Sequence, residues 1–170
     1  MPRVTFVKSA RKANPVAEVG QPYYWWKFRH GGKRFSKTFP RPSQLTQSEY
    51  LQGIRSLAEQ VQDASIDTVE AFEELRDDIV NSVIELREMQ QDSLDNMPES
   101  LQYSPSGELL QERIDALESA ESDMENLEAE EVDRAEFDER EEFDAAIEEL
   151  QDTLQSHLNE MEDYLSNCDI

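Results

Sequence analysis

Trp25, Lys27, Arg29, Lys33 and Arg34 are the residues of this chain whose types and spacing suggest chemistry. They lie in the stretch from Tyr23 to Phe39, which holds seven aromatic rings and five Lys/Arg in seventeen residues. Lysine and arginine neutralise phosphates, and indole and phenol faces stack on bases or fill a groove. A two- or three-stranded sheet can also enter the major groove of duplex DNA. The same residues have a plainer reading: the rings build the core of a small domain and the cations rest against acidic helices. The acidic remainder of the chain would itself repel a phosphate backbone unless held away from the site.

Other chemistries find little support. A helical di-iron site needs Glu-x-x-His pairs on facing helices. The only histidines are His30 and His157, and Leu154 stands three residues before His157. There is no cysteine pair, EF-hand loop or His-Glu-x-x-His pattern, so no metal or cofactor is expected. No phosphate-binding glycine loop and no nucleophile elbow occurs. Carboxylate pairs are too abundant to single any out, and the chain reads as non-enzymatic. Cys168 is the single cysteine, which excludes an internal disulfide. With no signal-peptide core, a reducing cytoplasm is the expected compartment.

The net charge of −23 hides two different regions. Residues 1–43 carry ten Lys/Arg against Glu18 alone, a net +9. Residues 44–170 carry six Arg and 38 acids, a net −32, and no lysine follows Lys37. A basic head at 1–43 and an acidic helical region at 44–170 are the expected domains. Hydrophobic residues make up 37%, low for a compact globule but sufficient for long amphipathic helices. No apolar run approaches a membrane span. Rows of carboxylates on such helices could also mimic DNA phosphates and occupy a DNA-binding protein; the plain alternative is a solvated helix face.

These residues need elements to position them. Arg3–Val7 reads as a short strand, and Asn14-Pro15 and Gly20-Gln21-Pro22 as turns. Two β-favouring runs flank Gly31-Gly32, a strong hairpin signal. With the two glycines as the loop, Phe28 pairs with Phe35, Trp26 with Lys37 and Tyr24 with Phe39. Tyr24, Trp26, Phe28, Phe35 and Phe39 then share a core face, and Tyr23, Trp25, Lys27, Arg29 and Arg34 share the outer one.

After Pro40-Arg41-Pro42 the period becomes helical. Helices are expected over about 44–96 and 107–167, with a loop at 97–106. Thr46 and Glu49 suit a capping box. Asp63–Asp67 reads as a kink or break, with Asp67 and Glu70 as a second cap. Val69, Phe72, Leu75, Ile79, Val83, Leu86 and Met89 form one stripe, and Leu110, Ile114, Leu117, Met124 and Leu127 another. Phe143, Ile147, Leu150, Leu154, His157, Met161 and Tyr164 make a heptad seam, which places His157 at an interface. A bend or fraying is expected in the acidic stretch 128–142. The result is an α+β chain: a small antiparallel β head, then an acidic antiparallel α-hairpin of coiled-coil type, with apolar surface left for a second copy.

The N-terminal third resembles a group of small bacteriophage proteins. The similarity lies in Phe6–Lys12, Tyr23–Arg29, Gly31–Lys37 and Pro42–Ser48, with a fainter likeness at Ser106–Arg113. It implies an accessory protein working in the cytoplasm of an infected bacterium. A short sheet followed by a helix is also similar, at fold level, to the arm-binding domains of tyrosine recombinases. The functional expectation is binding. The head would contact nucleic acid or an acidic protein surface, and the helices would self-associate or engage a host protein. The alternatives are an acidic decoy for a host DNA-binding protein, or a structural coiled-coil component of a virion or other assembly.

Overall fold

The computed structural model describes residues 1–170, Arg134 by its backbone alone. Three strands open the chain: β1 (Thr5–Val7), β2 (Tyr23–Lys27) and β3 (Lys33–Ser36). They form one antiparallel sheet in the order β1-β2-β3. A 3-10 turn at Pro42–Leu45 follows, then α1 (Glu49–Gln62), α2 (Val69–Asp95), the short α3 (Glu99–Gln102), α4 (Pro105–Glu125), a 3-10 turn at Arg134–Glu136 and α5 (Arg140–Asn167). The fold is α+β. The chain divides into two compact units, Met1–Ser56 and Leu57–Ile170, so the division falls inside α1.

In the first unit, Trp26, Phe28 and Leu45 form a buried cluster with Val4 against it. The segment between β1 and β2 is held by local bonds. The Ala10 amide donates to the Gln21 carbonyl at 2.9 Å, and Asn14 Oδ1 accepts from the amides of Val16 and Ala17.

The helices start where a hydroxyl satisfies free amides. Ser48, not Thr46, caps α1 by accepting from the Leu51 amide, and residues 44–48 stay outside the helix. Thr68, not Asp67, caps α2 by accepting from Ala71 at 3.2 Å. The helical region expected over 44–96 is two helices separated at 63–68, the place of the kink or break expected at Asp63–Asp67. The expected loop at 97–106 holds α3, and α4 already begins at Pro105, where a missing N–H costs nothing.

In the second unit α4 is flanked by α2 and α5. Arg87 Nε meets Glu121 Oε2 at 3.0 Å across the antiparallel α2–α4 pair. Arg113 donates to the Ile170 carbonyl, and the Cys168 thiol lies 3.5 Å from the Ala116 carbonyl, so α4 and α5 are antiparallel too. Phe72, Ile79, Val83, Leu117, Met124, Leu154, Met161 and Leu165 are fully buried.

The helix expected over 107–167, with a bend or fraying at 128–142, is fully interrupted there. The α4 helix ends at Glu125 and α5 begins at Arg140. Between them the chain is dense in carboxylates that repel one another and has little apolar surface to bury. Arg76 Nη1 donates to the Leu127 carbonyl at 2.8 Å, supplying a donor to the chain just past the end of α4. The α5 seam is also rotated from the expected one. Its buried positions are Leu154, Leu158, Met161, Leu165 and Cys168, while His157 and Tyr164 sit half-buried at its flank. On α2, Gln90 is buried and Met89 is 47% exposed, the reverse of the expected stripe.

The tightest backbone approach is at Gly107, in the first turn of α4. It is buried, and a Cβ there would overlap the Gln102 carbonyl group. The Gln102 side chain in turn donates to the Met97 carbonyl at 3.1 Å. Alanine is the better helix former by about 1 kcal/mol, but the clash is with backbone and outweighs that gain. Gly107→Ala should lower stability by about 1–3 kcal/mol. Gly32→Ala, with open space around its Cβ, should change it little. Urea denaturation of the two variants checks this contrast.

Candidate nucleic-acid interface

The loop between β2 and β3 decides what the head presents. Lys27 pairs with Lys33, Trp26 with Arg34, Trp25 with Phe35 and Tyr24 with Ser36. The loop is therefore Phe28–Gly32, five residues and not two. Phe28 leaves the ladder to pack with Trp26 and Leu45 in the core. Gly31 takes φ +147°, a region glycine tolerates best. Gln47 Nε2 donates to the His30 carbonyl at 2.7 Å and pins the loop to the segment before α1.

Moving the register by three residues reverses β3 against β2, because side chains alternate faces. Phe35 joins Trp25, not Trp26 as expected, and Tyr23 and Phe35 rings lie 6.0 Å apart. Arg34 crosses to the other face, where its guanidinium carbon lies 5.6 Å from the Phe28 ring centre. Phe39, expected in the core, is 62% exposed.

Three of the five candidate residues therefore share a face. Lys33 Nζ sits 4.5 Å from the centre of the half-buried Trp25 ring, a cation–π contact. Exposed Lys27 is paired beside Lys33. Arg29, in the loop, lines an open concavity of about 360 Å³ with Lys27, Phe28, Leu45, Thr46 and Gln47. Arg34 belongs to the opposite face. The Trp25 face offers two ammonium groups and one flat indole, which can pair with phosphate oxygens and stack on a planar group. It holds no nucleophile with an adjacent base.

Sequence reasoning set Tyr24 beside Phe39 but missed Phe6, which completes a second aromatic group with them. Phe6 pairs with Tyr24, with ring centres 4.9 Å apart, and Phe39 meets Tyr24 edge-on at 5.7 Å. The signal was Phe6 itself, which shares the parity of Val4, just before β1, and so lies on the face of Tyr24 and Trp26.

Among the described residues, no group of three or more His, Cys, Asp or Glu is placed to hold a metal ion. His157 lies edge-on to Phe72 at 5.4 Å, and its buried Nδ1 has no hydrogen-bond partner. No helix among the described residues is long and apolar enough to cross a membrane.

Two groups, Tyr164 on α5 and Cys168 at its C-terminal cap, have raised pKa values. Burial pushes the Cys168 thiol up to about 11. Tyr164 is raised by burial first, then by the charges of Glu160, Asp123 and Asp163 and the hydrogen bond to Glu160. An unfolded thiol ionises near pH 9.0. The folded chain holds that proton longer, so the stabilising contribution is complete below about pH 9 and declines toward about 11. Tyr164 acts in the same direction from its ordinary 10.0 upward. Stability should therefore fall between about pH 9 and 11, and less steeply in Cys168→Ala. Native Cys168 should react slowly with a thiol reagent at neutral pH and quickly in denaturant.

Compared with known protein families, curated proteins and solved structures, the chain matches none.

Proposed function

We propose that this protein acts by binding and that its head contacts nucleic acid. The carrying observation is the gathering of Trp25, Lys27 and Lys33 on one face of a segment with net charge +9. Arg29 extends that cationic surface into the neighbouring concavity. The proposed role is that of a non-enzymatic bacteriophage accessory protein in the cytoplasm of an infected bacterium, supported by the resemblance of the N-terminal third. In this reading the acidic helices mediate self-association or bind a host protein.

Full-length protein should bind duplex or single-stranded DNA with affinity that falls as salt rises. Lys27→Ala with Lys33→Ala should weaken binding about tenfold and reduce the salt slope by about two. Fluorescence anisotropy across a salt series measures both. Absence of binding at low salt would sink the reading.

A second reading is favoured by the net −32 of residues 44–170, with Asp123 of α4 and Tyr164 of α5 lining one concavity and Glu160 accepting from the Tyr164 hydroxyl at 3.5 Å. So dense a carboxylate field suits a decoy that occupies a host DNA-binding protein. The full chain would then displace DNA from such a protein, and would bind no DNA itself.

A further inference from the structure

Phe6, Tyr24 and Phe39 come from three separate segments and make one run of rings, spaced 4.9 and 5.7 Å. Phe6 is 55% exposed and Phe39 62%. Single exposed apolar side chains need no explanation, but a contiguous exposed group marks a binding surface.

Strand direction sets what surrounds these rings. Antiparallel pairing puts the end of β1, the start of β2 and the end of β3 at one end of the sheet. Lys8 follows β1 directly and Lys37 follows β3 directly. The loop carrying Arg11 and Lys12 is tied to that end by the bond from the Ala10 amide to the Gln21 carbonyl, two residues before β2. All four cations are exposed, and Glu18 is the one acid in residues 1–43. Rings alone would suit any apolar partner. Rings with four exposed cations at the same end of the sheet select a partner that is both flat-faced and anionic.

We infer that Phe6, Tyr24 and Phe39 form a stacking platform for unpaired bases of a single-stranded nucleic acid, with Lys8 and Lys37 beside its phosphates. This deepens the proposed function and rests on it. Bases within a duplex are stacked on one another and leave no face for these rings, so the head should prefer single strands.

The test uses the full chain, with a labelled oligothymidylate and a mixed-sequence duplex of equal length at one salt concentration. The single strand should bind about tenfold tighter. Phe6→Ala and Phe39→Ala should each weaken single-strand binding about tenfold and leave duplex binding within about twofold. Phe39→Leu keeps an apolar side chain and separates lost stacking from lost folding; it too should weaken the single strand, with an unchanged thermal melt. Equal affinity for both forms, or indifference to the Phe variants while Lys27→Ala and Lys33→Ala weaken both, overturns the platform and leaves the proposed function standing. No binding of either form by the native protein overturns both.

Discussion

Burial of Phe28 governs the head. Its ring fills the space beside Trp26 and Leu45, and removing about one aromatic side chain's worth of surface from water is worth about 1.5–3 kcal/mol. A tight Gly-Gly turn would have kept Phe28 in the ladder. Drawing it inward instead lengthens the loop, moves the register of β3 and decides which side chains meet solvent. Trp25, Lys27 and Lys33 share a face because Phe28 does not stay in its strand. The exposure of Phe39 follows from the same event, since β3 ends at Ser36 and leaves Phe39 beyond it.

The helical unit depends on a different balance. Its apolar stripes suffice for α2, α4 and the second half of α5, where Leu154, Met161 and Leu165 are fully covered, as is Cys168 at the cap. The chain from Asn126 to Glu139 has no such stripe, so helix gives way there despite the absence of glycine and proline. Like-charge repulsion and missing burial end a helix as surely as a proline does. The Arg76 guanidinium at the Leu127 carbonyl places one of the few cations of this region at the negative end of α4.

Much of this was legible from residues alone. The basic head, its strands, the proline-bearing turn and the helical stripes follow from composition and period. Their exact phases did not. Thr46 and Ser48, or Asp67 and Thr68, are chemically similar caps, and only the local backbone chooses between them. On α5 the steps 154–158–161–165 and 154–157–161–164 are both heptads, so period alone cannot tell Leu158 from His157. The site suffered from the same ambiguity. A phenylalanine that continues a strand and one that turns into the core look identical in sequence, and that one residue exchanged the faces of Phe35 and Arg34.

A three-stranded open sheet keeps two outer strands, and β3 is one of them. Its backbone is a template on which another sheet could add. Lys33 and Arg34 stand exposed at its start, and charge on an outer strand makes such addition unfavourable. These cations therefore guard the head against aggregation whether or not a ligand is present. Loss of charge on β3 has two costs, one in affinity and one in solubility, and the second would surface as self-adhesion of the protein even where no polyanion is in reach.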